Sequence, residues 1–220
     1  STSTTSITVI KTDNVAPSIS SLSASSSTVA LTSSAQNTET ITFTATITDN
    51  VGINSVSFGG LTPSVSGNNY TWTKNYAYGS YSFGTSTDTL TLTVTDTAGN
   101  SSSDTVSVTI TKTDNVAPTI TSYSASATQL TWLASQNDSS NKTVTFTVVT
   151  SDDVAIGSVA ISGATQTNVS GSTYTFTRAY SRPVLGNSAT SSAATLTVTD
   201  SAGNTATDSI TISTVYTDNV

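Results

Sequence analysis

The heptapeptide Lys11-Thr12-Asp13-Asn14-Val15-Ala16-Pro17 recurs 101 residues later as Lys112-Thr113-Asp114-Asn115-Val116-Ala117-Pro118, and a shorter copy, Thr217-Asp218-Asn219-Val220, closes the chain. The likeness continues between the copies. Tyr70-Thr71-Trp72-Thr73-Lys74 matches Tyr174-Thr175-Phe176-Thr177-Arg178. Leu92-Thr93-Val94-Thr95-Asp96 matches Leu196-Thr197-Val198-Thr199-Asp200, and both are followed by a residue and then Ala-Gly-Asn. A repeat of this length is a whole small domain. The chain therefore divides into a first domain at 13–113 and a second at 114–217. Residues 1–12 read as the tail of a preceding repeat with its linker, and 218–220 as the start of the next linker.

Each repeat reads as strand throughout. Ile41, Phe43, Ala45 and Ile47 alternate with Thr40 to Thr48, Leu90, Leu92 and Val94 with Thr89 to Thr95, and Val106, Val108 and Ile110 with Thr105 to Thr109. Period-2 alternation buries one face of a strand and exposes the other, and no 3.6-residue apolar pattern competes with it. About seven such strands per hundred residues describe a sandwich of two sheets. The aromatic series Tyr70, Trp72, Tyr76 and its counterpart Tyr174, Phe176, Tyr180 reads as core filling rather than as a sugar platform. Lys74 and Arg178 share that register and are expected to snorkel at the sheet edge.

Composition removes most chemistry. Among 220 residues there is no Cys, no His and no Met, which removes the commonest zinc, haem, iron–sulfur and Cys-nucleophile chemistry and leaves no disulfide framework. Six basic residues stand against 13 acidic ones, and a pI near 4.1 argues against nucleic acid and anionic membrane as partners. Ser and Thr number 41 and 49. Apolar runs are too short for a spanning helix, so no membrane insertion is expected. Without a base, a nucleophile partner or a pocket signal, no enzyme activity is expected either.

The carboxylates are few and placed in register. One further inward step along each long strand leads from Ile47 to Asp49, from Val94 to Asp96 and, read backward, from Val106 to Asp104; the second repeat gives Asp152, Asp200 and Asp208 by the same construction. In an immunoglobulin-like topology the loop after strand B, the F–G hairpin and the chain's entry point share one end of the sandwich. Asp13 and Asn14 enter there in the first repeat, Asp114 and Asn115 in the second. Asp153 stands where Asn50 stands and adds a carboxylate to the second set. An all-oxygen cluster of this kind suits Ca²⁺, which takes 6–8 oxygen ligands in flexible geometry. The expected ligand pool is thus Asp13, Asn14, Asp49, Asp96 and Asp104, with Asp114, Asn115, Asp152, Asp153, Asp200 and Asp208 in the second repeat. Asp88, Glu39 and Asp138 fall outside the register, with the possibility that they reach the next junction from the lower end.

A unit with Asp-Asn-Val-Ala-Pro at its start, Thr-Asp-Asn-Val-Gly in its middle and Val-Thr-Asp-Thr-Ala-Gly-Asn near its end resembles the bacterial immunoglobulin-like repeats that build extender regions of large RTX-type surface adhesins. Its linker also resembles the calcium-binding Asp-Asn-Ala-Pro junction of cadherins, although Glu39 is the only Glu and cadherin-type coordination does not transfer. The resemblance implies an all-β chain of two tandem immunoglobulin-like Greek-key β-sandwiches at a bacterial cell surface. Neighbouring repeats of the same chain would be its partners. A rod stiffened by Ca²⁺ would project a distal binding domain of unknown ligand. The competing reading is a carbohydrate- or ligand-binding module, prompted by the aromatic strand and the loop Ser80-Tyr81-Ser82-Phe83-Gly84. Ice binding by the threonine runs is disfavoured because sandwich strands twist.

Overall fold

The computed structural model describes residues 11–134, 139–184 and 189–217. The expected flanking segments 1–10 and 218–220, Asp138, and part of the loop after Tyr180 lie outside them. Two compact units meet in sequence between Thr113 and Asp114. Unit 1 contains β1 (Ser18–Ala24), β2 (Thr28–Thr32), β3 (Thr38–Thr48), β4 (Ile53–Phe58), β5 (Ser64–Ser66), β6 (Asn69–Ala77), β7 (Gly84–Asp96) and β8 (Ser101–Thr113). Unit 2 repeats the order with β9 (Thr119–Ala125), β10 (Gln129–Leu133), β11 (Lys142–Ser151), β12 (Ile156–Ile161), β13 (Thr165–Ser170), β14 (Thr173–Tyr180), β15 (Thr190–Asp200) and β16 (Thr205–Thr217).

Each unit is an immunoglobulin-like sandwich. In unit 1 one sheet runs β1-β3-β6-β5 and the other β2-β8-β7-β4; unit 2 has β9-β11-β14-β13 and β10-β16-β15-β12. The β2–β8 and β10–β16 pairs are parallel, and every other pair is antiparallel. Strand β3 shows why the sequence takes this form. Ile41, Phe43, Ala45 and Ile47 are buried while the threonines between them face outward or half outward. Phe43 pairs across the sheet with Trp72 and meets Phe58 of the opposite sheet edge-on, ring centroids 5.3 Å apart. Fully burying one such ring stabilises by roughly 1.5–3 kcal/mol, and unit 2 repeats the arrangement with Phe146 opposite Phe176.

The aromatic strand is core, as expected. Trp72 and Tyr76 are buried and Tyr70 stacks on Trp72 at 5.9 Å; Phe176 and Tyr180 are buried in unit 2. The loop aromatics are likewise spent inside the unit. Tyr81 stacks on Tyr76, and Tyr78 and Phe83 flank the buried Lys112, whose ammonium lies 3.8 Å from the Tyr78 ring centre and donates to the carbonyls of Tyr78 and Tyr81. Lys74 does not snorkel at an edge. Its ammonium lies 2.6 Å from Asp88, which also accepts from the Tyr76 hydroxyl at 2.7 Å. Lys74 stands on β6 and Asp88 on β7, so this polar group ties the two sheets together. Asp88 is thereby committed within unit 1 and does not reach toward a neighbouring junction.

Candidate metal centre

Three chain segments converge at one end of each sandwich: the segment entering the first strand, the loop after the third strand and the hairpin between the last two. The hairpin turn is Asp96-Thr97-Ala98-Gly99-Asn100. Gly99 takes φ of 95°, a left-handed value that suits glycine, and lets the turn close with the Asp96 N–H donating to the Asn100 carbonyl. Thr97 then donates its N–H to the Gly52 carbonyl, which joins the hairpin to the loop after β3. Unit 2 repeats all of this, with φ of 98° at Gly203 and a bond from Ser201 N–H to the Ala155 carbonyl.

Asp96 is fully buried and Asp200 nearly so. A buried carboxylate is tolerated only when well hydrogen-bonded. Oδ1 of Asp96 accepts from the Ala98 and Asn100 N–H groups, both at 2.8 Å, and Oδ2 accepts from Asn100 Nδ2 at 2.7 Å. Asp200 accepts from Ala202, Gly203 and Asn204 in the same way. Burial alone pushes both carboxyls up; the bonds from Asn100, Ala98 and Gly99, and from Asn204, Gly203 and Ala202, outweigh it and hold them below the ordinary carboxylate value. Both stay ionised at neutral pH.

The other two carboxylates of each trio divide their oxygens between two tasks. Asp49 Oδ2 accepts from the Val51 and Gly52 N–H groups at 2.8 Å and so holds its own loop. Asp13 Oδ1 accepts from Val15 N–H and Asn50 Nδ2. Their remaining oxygens, Asp49 Oδ1 and Asp13 Oδ2, are buried without a protein hydrogen-bond partner among the described residues. Asp152 repeats the division, with Oδ2 holding the Val154 and Ala155 N–H groups and Oδ1 buried and unpartnered. Asp114 Oδ1 accepts from Val116 N–H.

Asp13, Asp49 and Asp96 bring one oxygen each within 4.8 Å of one another, and Asp114, Asp152 and Asp200 do the same. Three like charges at that spacing repel unless a cation lies among them. A buried oxygen left without a donor costs about 1–3 kcal/mol, more when charged. The donor set therefore fits a hard divalent cation. The carboxylates are all-oxygen ligands, and the carbonyls of Asp13, Val15, Asp114 and Val116 gather around the same turns.

Not every expected residue joins these groups. Asp104 and Asp208 do not. The hairpin closes at Asn100, so Asp104 pairs with Leu92, four positions down the ladder, which is about 13 Å at strand rise. It is exposed and accepts from its neighbour Thr105, as Asp208 does from Ser209. Asn14, Asn115 and Asp153 are exposed, and Asp153 lies outside the carboxylate trios. Asn100 and Asn204 were not among the expected site residues, yet each seats the entering segment. Their amides donate to the Asp13 and Val15 carbonyls, and to those of Asp114 and Val116, at 3.3–3.5 Å. The paired Ala-Gly-Asn endings carried that signal.

No family model matches the chain, and no curated protein matches it. Among solved structures it is similar to the sialic acid binding region of a Streptococcus sanguinis SK1 adhesin bound to 3'sLn, at 10% identity, 94% of this chain, 79% of that one and a TM-score of 0.32. Protocadherin gammaB7 EC3-6 matches at 15% identity, 94% and 52% coverage and a TM-score of 0.39. The titin Ig tandem A164-A165 matches at 11% identity, 93% and 98% coverage and a TM-score of 0.26. These neighbours are immunoglobulin-like and cadherin-like β-sandwich domains, one of them a fragment of a bacterial adhesin.

Proposed function

We propose that this chain is an extender segment of a cell-surface adhesin, a non-catalytic series of immunoglobulin-like units held stiff by Ca²⁺ and projecting a distal binding domain. The observation that carries the reading is the twofold occurrence of one arrangement. In each unit an aspartate of the entering segment meets one from the loop after the third strand and one from the last hairpin. A cation bound by Asp114, Asp152 and Asp200 fixes the entering segment to the body of its unit. Backbone freedom is lost where the chain would otherwise pivot, at about 1–2 kcal/mol per residue ordered, and the ion supplies the offset. Pro17 and Pro118, both buried, fix φ just beyond the pivot. Asn100 and Asn204 pre-place the segment, so the ion meets a site already formed. The uncharged Ser and Thr faces and the absence of a helix able to cross a membrane among the described residues accord with an extracellular spacer.

Small-angle X-ray scattering with calcium and then with chelator tests this, together with thermal melting in both states. Chelation is expected to broaden the distance distribution and lower the melting temperature, and Asp114→Ala to reproduce the broadening with calcium present. Identical scattering and melting in both states would sink the reading.

A further inference from the structure

The two trios are set in nearly the same three segments. Asp13-Asn14-Val15-Ala16-Pro17 recurs unchanged as Asp114-Asn115-Val116-Ala117-Pro118, and the hairpin turns Asp96-Thr97-Ala98-Gly99-Asn100 and Asp200-Ser201-Ala202-Gly203-Asn204 differ only at Thr97 and Ser201. The loop after the third strand differs in charge. It reads Asp49-Asn50-Val51-Gly52 in unit 1 and Asp152-Asp153-Val154-Ala155 in unit 2. Its backbone is held alike in both. Asp49 Oδ2 accepts from the Val51 and Gly52 N–H groups at 2.8 Å, and Asp152 Oδ2 from those of Val154 and Ala155 at 3.0 and 2.8 Å. Residues 50 and 153 therefore occupy the same place in their loops, and both are exposed. Asn50 uses that place to donate its amide to Asp13 Oδ1 at 3.2 Å. Asp153 cannot do the same, because an ionised carboxylate only accepts.

Resting on the cation reading above, we infer that this one exchange sets the two sites apart in affinity, unit 2 taking up its cation first and holding it more tightly. In unit 1 the Asn50 amide turns the positive end of a dipole toward Asp13 and offsets part of the trio's charge before any ion arrives. In unit 2 the same place carries a fourth negative charge. Asp153 need not ligate to act. Like charges in an empty site repel, and a divalent cation relieves that repulsion the more, the more carboxylates surround it. A unit charge and a divalent ion about 6 Å apart in water attract enough to change an affinity roughly tenfold, and salt screens part of this when the charge is exposed. Every other charged position in the three segments is matched between the units, so the difference in charge rests on residues 50 and 153 alone. As free cation falls, the entering segment of unit 1 is released before that of unit 2.

Calcium titration by calorimetry tests this on the full chain. Unit 1 is read with the unit 2 trio disabled by Asp152→Asn, and unit 2 with the unit 1 trio disabled by Asp49→Asn. Unit 2 is expected to bind roughly tenfold more tightly at low ionic strength. Asp153→Asn should remove that advantage, and Asn50→Asp should confer it on unit 1. The gap should shrink at physiological salt, which a purely steric effect of either residue would not do. Both positions are exposed, so neither exchange threatens the fold. Equal affinities in the two sites, or either exchange failing to move its own site in the stated direction, overturn the inference and leave the cation reading standing. Absence of calcium binding by the unaltered chain overturns both.

Discussion

Units 1 and 2 share one carboxylate apparatus but differ in the charged contacts beneath it. Unit 1 ties its sheets with Lys74, Asp88 and Tyr76. In unit 2 Arg178 reaches the Ser192 hydroxyl and the carbonyls of Ser162 and Ala193 instead, and its guanidinium lies 4.8 Å from the Tyr180 ring centre. At the far end unit 1 buries Lys112 of β8 against Tyr78 and Phe83, whereas unit 2 places Tyr216 on the matching strand and brings Arg182 to it. Cation and ring have changed places. The contrast teaches that the interior accepts several solutions of equal shape, while the trio accepts one. That difference accords with the cation proposed for the trio, which would need the same oxygens in both units, whereas packing alone tolerates several arrangements.

The largest effect expected is a core one. Trp72→Ala and Phe176→Ala should each cost about 3–5 kcal/mol. Each should move only its own unit's transition in denaturant unfolding followed by probes in both units. Equal shifts of both transitions would show that the units melt as one. Next comes ion removal. At a calcium concentration a hundredfold above Kd, binding contributes about 2.7 kcal/mol per site. Asp49→Asn should delete the share of unit 1 and Asp152→Asn that of unit 2, as read by calorimetry with and without chelator.

A backbone difference comes third. A Cβ on Gly157 would lie 2.5 Å from the Asp200 carbonyl oxygen, whereas the matching position of unit 1 is the exposed Asn54. Gly157→Ala should destabilise unit 2 by about 1–3 kcal/mol, and Asn54→Ala should stay within about 0.5 kcal/mol. Equal costs would break the comparison.

The smallest effect concerns acid. Burial raises the Asp88 carboxyl, but bonds from Lys74 and Tyr76 overcome it and hold it below the ordinary value of 3.8. Asp96 and Asp200 are shifted in the same direction. A carboxyl lowered by folding stabilises the native state fully above its unfolded value and loses that contribution as pH falls through the folded one. Among the described residues unit 1 has two such groups and unit 2 one, so unit 1 should lose more stability between pH 5 and roughly pH 2. Asp88→Asn should narrow the gap while costing about 0.2–1 kcal/mol at neutral pH.

The sandwich and four of the six clustered aspartates were legible because strand register is a strict two-residue rule. Asp49, Asp96, Asp152 and Asp200 each extend an inward row by one step, and the repeated linker pointed to Asp13 and Asp114. Register alone misled at Asp104 and Asp208, since it fixes a face without fixing height along the strand. Height depends on where the hairpin closes, and Gly99 closes it at Asn100. The Lys74–Asp88 tie was illegible for a related reason. The two residues lie on strands of opposite sheets, and no period within either strand reports which cross-sheet neighbours meet. Asn100 and Asn204 act through side-chain amides on backbone carbonyls more than eighty residues earlier, a relation that only the closed fold creates.

The parallel pairing of β2 with β8 bears on force. Thr28 to Thr32 run alongside Thr109 to Thr113, and Gln129 to Leu133 alongside Ser213 to Thr217. Once β1 or β9, which enters its unit first and lies antiparallel against β3 or β11, has let go, tension would draw the beginning of the first strand of such a pair one way and the end of its partner the other. Its ladder is loaded in shear, every rung at once, and cannot be peeled open from one end as a hairpin can. Extension must break those rungs together, so in the proposed extender each such pair would part all at once.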